Sequence, residues 1–211
     1  MEKPVIIFGA TGIARAALSI FKSNGIVVYG FLEENKTLHN TEIESIPVLG
    51  DPEDHGFLKL IGQKCEAFVA TDDNDVRKKE VERLVKSRKV MPVNAIHESA
   101  FLSESVEIGH GNFINGQVFI GAGVKIGHHN ILNSACTIDH EVEITNFVQV
   151  GAGTIINSRV TIGDNAFIGS GVTIVSGVKI GKKARIGAGS VVIQDVPAGA
   201  TVFGNPAVKV S

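Results

Sequence analysis

Ile162-Gly-Asp-Asn-Ala-Phe-Ile168-Gly-Ser-Gly-Val-Thr-Ile174-Val-Ser-Gly-Val-Lys-Ile180-Gly-Lys-Lys-Ala-Arg-Ile186 places an isoleucine at every sixth position. Working outward by six extends the series to Ile108, Ile114, Ile120, Ile126, Leu132, Ile138, Ile144, Val150 and Ile156 on one side and Val192 on the other: fifteen branched aliphatics without an insertion. Two residues before each stands a small or β-branched residue, such as Val118, Cys136, Val148, Thr154 or Ala166; Asn112, Asn130 and Ser190 are the exceptions. An apolar pair two apart, followed by a four-residue gap, fits neither a 3.6-residue helix nor a hairpin meander; it describes a short strand and then a corner. Gly, Asn or Asp follows the aliphatic in twelve of the fifteen hexads and recurs two positions later, at Gly111, Gly123, Gly153 or Asn165. Either position suits a corner that needs positive φ or close backbone approach. Hexapeptide repetition predicts a parallel β-helix, three hexads to a triangular coil, with residues 18 apart stacked. Five coils at the ~4.8 Å strand spacing make a prism roughly 24 Å tall. Each buried aliphatic contributes about 1.5 to 3 kcal/mol, so the stack needs no helices. Cys136 falls in the inward register and is expected to be an inert core thiol.

Outward from the repeat, glycine divides the chain. Of 24 glycines among 211 residues, seven lie in residues 1–95 and fifteen in 108–192, and no proline occurs between Pro92 and Pro197. The boundary is set at residue 97: an α/β Rossmann-like unit over 1–96, then the all-β helix over 97–211. In the first unit, Pro4-Val-Ile-Ile-Phe-Gly9 is a buried strand running into Gly9-Ala-Thr-Gly12-Ile-Ala14, followed by a helix over 14–24. Strands follow over 26–32 and 65–70, then a helix over 74–88 with Val76, Val81, Leu84 and Val85 as its apolar face, and a fourth strand over 90–96. Strands alternating with helices imply a parallel sheet with ligands at the strands' carboxyl ends. The turn is G-x-x-G, not G-x-G-x-x-G, and position 14 is alanine, so the dinucleotide fingerprint is incomplete and NAD is not expected. Backbone N–H groups at a helix start still suit a phosphate, and Glu33 and Glu34 lie where ribose hydroxyls are read.

Composition removes other classes. Twenty basic against 22 acidic side chains give a net charge of -2, too balanced for a protein that grips nucleic acid or anionic membranes. Two cysteines make no disulfide framework or four-cysteine zinc site, and no signal or membrane-spanning run appears, so a cytoplasmic protein without membrane insertion is expected.

The Ile-Gly-x-x-Val-x hexads resemble the left-handed β-helix of bacterial hexapeptide acyltransferases. Joined directly to an α/β unit of this size, they resemble the sugar-nucleotide acetyltransferases of the sialic-acid O-acetyltransferase and bacillosamine or perosamine N-acetyltransferase group. The resemblance implies a homotrimer with sites between subunits, acetyl-CoA as cosubstrate, no metal, and a nucleotide-linked amino sugar on the first unit. That group's G-x-S-G-H-G turn corresponds to Gly9-Ala-Thr11-Gly12-Ile13-Ala14, its acidic pair to Glu33 and Glu34, and its Gly-Asn-Asn to Thr71-Asp72-Asp73. Gly9, Thr11, Gly12, Glu33, Glu34 and Asp72 are therefore the expected substrate-binding residues. The expected activity is N-acetylation of the amino sugar; O-acetylation of sialic acid or a related sugar is the alternative.

Acyl transfer to an amine requires a base near neutral pH and a donor for the thioester oxyanion. Of the seven histidines, His140 lies in Ile138-Asp139-His140-Glu141, two past an inward aliphatic, at a corner where it points outward. A carboxylate on one imidazole nitrogen fixes the tautomer and raises basicity at the other; Asp139 and Glu141 are both candidates. The resemblance makes His140 the base and Glu141 its partner. Stacking puts Ser158 one coil above His140, its N–H a candidate oxyanion donor. Residues lining the family's pantetheine groove fall on Gln149, Ser170 and Ala188. Lys182, Lys183 and Arg185 offer charge for coenzyme A phosphates, and Gly204-Asn-Pro-Ala-Val-Lys209 matches the family's G-N-P-A tail, placing Lys209 at the cofactor. His110, His128 and His129 could be imagined as zinc ligands of a hexapeptide carbonic anhydrase, but they lack the expected spacing; a noncatalytic nucleotide-binding scaffold is a third reading.

Overall fold

The computed structural model describes residues 3–210, and the chain divides between Glu98 and Ser99 into two units. The first contains β1 (Val5–Phe8), α1 (Ile13–Ser23), β2 (Val28–Leu32), β3 (Glu42–Ile43), β4 (Ile46–Gly50), α2 (His55–Leu58), β5 (Glu66–Val69) and α3 (Asn74–Arg88). The sheet order is β3-β4-β2-β1-β5, parallel except for β3, which pairs antiparallel with β4. All four residues of the interior strand β1 are buried, the continuous apolar run that a parallel sheet covered on both faces demands. α1 buries Ala14, Ala17, Leu18, Ile20 and Phe21, and Phe21 meets Phe68 of β5 edge to face, ring centroids 5.6 Å apart. Val81 and Leu84 of α3 join Ile6, Phe8, Leu32 and Val69 in one cluster.

Two sequence expectations are corrected here. Residues 90–94 form no strand, and Ala95–Ile96 is outside this sheet; Pro92 has no N–H to give a ladder, and Val93 N–H bonds Ala67 O as a single contact at 2.9 Å. The sheet is completed instead by β3 and β4, whose segment carries too little alternation to read. Val76 is not part of the apolar face but 43% exposed, while Arg77 and Glu80 are buried.

The second unit is a parallel β-helix. One wall stacks Phe101–Leu102, Phe119–Ile120, Thr137–Ile138, Ile155–Ile156, Thr173–Ile174 and Val191–Val192. The next stacks Glu107–Ile108, Lys125–Ile126, Glu143–Ile144, Thr161–Ile162 and Lys179–Ile180. The third runs from Phe113–Ile114 through Ile131–Leu132, Gln149–Val150 and Phe167–Ile168 to Arg185–Ile186. Every one of these pairs joins residues 18 apart, as Ile120↔Ile138 does. Fourteen of the fifteen repeat aliphatics are buried; Ile108 is half-buried. The last coil is two residues shorter: Ile180 bridges Val196 and Ile186 pairs with Val202, after which Thr201–Phe203 turns back as an antiparallel pair with Val208–Lys209.

The structure assigns the two corner positions that the sequence left open. Positive φ falls three residues after fourteen of the fifteen aliphatics, at Gly111, Gln117, Gly123, His129, Ala135, Glu141 and onward to Gly189. The glycine directly after the aliphatic serves close approach: a Cβ on Gly151 would sit 2.3 Å from Ser170 N. The polar exceptions in the inward register are fully buried and satisfied. Asn130 donates through Nδ2 to Thr145 O at 2.8 Å and Asn112 Oδ1 at 3.1 Å, and its Oδ1 accepts Val148 N–H at 2.7 Å. Cys136 is buried with Sγ 2.8 Å from Asn133 O, and burial pushes its thiol up to about 11. Among the described residues no helix is long and apolar enough to cross a membrane.

Candidate functional site

In the α/β unit, β1 ends in a turn that only glycine can make at its first position. Gly9 has φ +100°, and a Cβ there would lie 2.7 Å from Ala70 O of the strand beside it. Gly12 caps α1 without a side-chain hydrogen bond, and the first turn holds no acid, leaving the helix-start amides to attract an anion. At the end of β2, Glu33 clips the turn: its Oε2 accepts Ala10 N–H at 2.8 Å and its Oε1 accepts Asn35 N–H at 2.9 Å. Both oxygens of the residue expected at a ribose thus hold backbone, whereas Glu34 is exposed.

α3 opens with Asp73, whose Oδ1 accepts the N–H groups of Asp75 and Val76 at 2.9 Å. Arg77, 2% exposed, donates to Thr71 O at 2.6 Å and to Asn74 Oδ1. It ties the turn after β5 to the helix. Burial lowers its guanidinium to about 10 against the raising effect of Asp72 and Asp73. A cavity of about 260 Å³ lies at the carboxyl ends of β1, β2 and β5. It brings together Gly9, Thr11, Gly12, Glu33, Glu34 and Asp72, with apolar walls from Phe8, Leu32, Val69 and Val76. Sequence reasoning missed Glu80, which also lines it; a charged residue on a charged helix carries no signal of burial.

In the coils, His140 sits on an edge of the prism with its side chain half exposed. Its Nδ1 lies 2.9 Å from Asp139 Oδ1, which also accepts the His140 peptide N–H at 2.8 Å. A carboxylate only accepts, so Nδ1 carries the proton and the Nε2 lone pair faces outward. The His140 amide and then its ring hold the Asp139 carboxyl below the usual range, with a smaller contribution from the Ser158 amide; the acid therefore stays ionised at neutral pH.

The carboxylate against the imidazole is thus Asp139, the other of the two candidates. Glu141 takes the left-handed corner, φ 57°, and its Oε2 lies 3.9 Å from Arg159 Nη1 rather than at the imidazole. The shorter Asp139, just before the histidine, reaches both the amide and the ring of His140. Ser158 is stacked above as expected and is buried; its amide adds the smallest contribution to holding the Asp139 carboxyl down.

The remaining expected residues are dispersed. Gln149 lies on the third wall, Ser170 and Ala188 on the edge between the third and first walls, and Lys209 on the terminal strand beside a cavity of about 450 Å³. Arg185 lies over the Phe167 ring, 4.8 Å from its centroid, and Lys182 tops an edge ladder of His110, His128, Asn146 and Asp164. In that ladder His128 Nδ1 accepts His110 N–H at 3.0 Å, and among the described residues no three metal-ligating side chains converge.

Comparison with known proteins places this geometry. Residues 4–84 match the PglD N-terminal domain, and residues 159–194 match the bacterial transferase hexapeptide family. A histidine variant of perosamine N-acetyltransferase from Caulobacter crescentus, in complex with CoA and GDP-perosamine, is 30% identical with a TM-score of 0.89; the match covers 99% of this chain and 97% of that one. The chain belongs to the hexapeptide-repeat sugar acetyltransferase family. The family's α/β unit and left-handed β-helix recur in WeeI from Acinetobacter baumannii AYE, at 26% identity, TM-score 0.85, and 98% and 99% coverage. They recur again in the acetyltransferase domain of PglB from Neisseria gonorrhoeae FA1090, at 25% identity, TM-score 0.88, and 99% and 100% coverage. An uncharacterized protein of Acanthamoeba polyphaga mimivirus is 32% identical over 114 residues; the match spans 52% of this chain and about a fifth (21%) of that protein.

Proposed function

We propose that this family member is an acetyl-CoA-dependent N-acetyltransferase of a nucleotide-linked amino sugar, with His140 as general base. The observation that carries the reading is the His140–Asp139 pair, a solvent-facing imidazole whose Nδ1 is anchored and whose Nε2 is open. The nucleotide rests in the α/β cavity, with its phosphates at the Gly9–Gly12 turn. The sugar amine attacks the thioester carbonyl as His140 Nε2 takes its proton, and the tetrahedral adduct collapses to the amide, expelling the thiolate. The imidazolium is stabilised by Asp139 and returns its proton to the departing sulfur. No acyl-enzyme is required. The Caulobacter relative in complex with CoA and GDP-perosamine supports both ligands.

The active assembly is a homotrimer. His140 lies on one edge of the prism and the groove candidates Ser170 and Ala188 on another, so one cleft can hold both sets only if a second copy supplies an edge. The wall bordering His140 also exposes Phe101, Phe119 and Ile155, with the two phenylalanine rings stacked 5.1 Å apart, the apolar surface a second copy would cover.

The test is thiol release from acetyl-CoA with nucleotide-linked amino sugars and their hydroxyl counterparts. Amines are expected to react and hydroxyls not; the reverse would establish O-acetylation. His140→Ala is expected to slow transfer by about 10²- to 10⁴-fold, the usual range for a general base, with the fold retained by circular dichroism. Full activity in that variant would remove His140 from the chemistry.

A further inference from the structure

Among the described residues, Glu80 Oε1 is the single buried side-chain oxygen or nitrogen without a hydrogen-bond partner. Glu80 is 6% exposed, its Oε2 is bound by Arg83, and Arg83 is held in turn by Glu53 at 3.0 Å. Burial pushes the Glu80 carboxyl up, and Arg83 opposes that push. An acceptor buried without a donor is costly, and this one belongs to a residue lining the cavity of the α/β unit. The lining holds no lysine or arginine to pair with it.

The surroundings specify what kind of donor fits. Val76 and Glu80 are four residues apart on α3, hence on one face of the helix, and both line the cavity. The Val76 side chain is exposed there, with Pro52 and Val69 also in the lining. Apolar walls beside the Glu80 carboxylate, whose shielded Oε1 would turn toward the cavity to meet an occupant, match a flat ring with N–H groups on its rim. They do not match a phosphate, which the acids repel.

Among nucleobases, guanine presents two adjacent donors, N1–H and the N2 amino group, to a carboxylate. Uracil and thymine present one N–H flanked by two carbonyl oxygens, which a carboxylate repels. Resting on the nucleotide-site reading above, we propose that Glu80 reads the donor edge of a guanine, so that the substrate is a guanosine-diphosphate-linked sugar rather than a uridine or thymidine one.

Calorimetric titration of the full chain with GDP, UDP and dTDP tests this. GDP is expected to bind at least about tenfold more tightly, the discrimination that one good base contact supplies. Glu80→Gln keeps an acceptor for Arg83 but can turn an amide donor toward the base; it is expected to weaken GDP about tenfold and bring GDP and UDP within about threefold. Equal wild-type affinity for GDP and UDP, or an unchanged ratio in folded Glu80→Gln, would overturn the guanine assignment alone. If that variant fails to fold, the wild-type series decides. Absence of binding by all three diphosphates would overturn the nucleotide site itself, and the guanine assignment with it.

Discussion

In the coils every wall residue has a partner 18 positions away, as Ile138 pairs with Ile120 and Ile156. In the α/β unit, Val5 pairs with both Val28 and Glu66, at separations that no period announces. Where a neighbour is found by adding a constant, burial, corner and stack all follow from the alphabet of the repeat. Where neighbours are set by loop lengths, a buried charge such as Arg77 looks like any exposed one. The comparison also shows where regularity misleads, since in the coils the informative positions are those that depart from it.

Asn130 offers the largest test of that contrast. The pattern asks for an aliphatic there, yet Asn130→Val would strip partners from Val148 N–H and Thr145 O. Each buried group left unpaired costs about 1 to 3 kcal/mol, so a loss of roughly 2 to 5 kcal/mol is expected in urea unfolding. A neutral result would mean the repeat alone governs the core.

The His140 corner comes next. Asp139→Asn is expected to lower the acetyl-transfer rate constant about 10- to 100-fold, because the amide no longer stabilises the imidazolium or enforces the Nδ1–H tautomer. Glu141→Gln is expected to change it less than about threefold. The opposite ranking in a thiol-release assay would restore the partner that family resemblance suggested.

The smallest effect is at the same corner. Glu141 occupies a left-handed conformation that costs an L-residue about 1 to 2 kcal/mol, partly offset in the unfolded chain when glycine replaces it. Glu141→Gly should therefore raise stability by up to about 1 kcal/mol, read as a higher melting temperature. Destabilisation would show that the Glu141–Arg159 pair outweighs the backbone term; at 3.9 Å between exposed side chains, such pairs usually contribute little.

These tests follow the limits of what was legible. The β-helix, its register and the inert Cys136 could be read because one aliphatic per hexad has a single way to be buried. The α/β alternation could be read too, since β1 and α1 are strongly patterned. The strands Glu42–Ile43 and Ile46–Gly50 at one side of that sheet could not, as two-residue pairings and a proline-containing run carry no alternation. The residues around the cavity were found from their places after strand ends, but Glu80 was not, because its burial depends on α3 lying against the sheet. At His140 the sequence offered two acids and the spacing could not choose; side-chain length and the backbone conformation at residue 141 put Asp139, not Glu141, against the ring.

The shortened final coil and its returning strand bear on the size of the molecule. A stack of parallel rungs has no intrinsic length, and its last rung offers unpaired backbone to any similar edge it meets. Removing two residues between Val192 and Val196 and folding Val208–Lys209 back in the opposite direction ends that invitation on the third wall. The tail thereby works as an end-stop, keeping a motif that could propagate into a filament as a particle of fixed height.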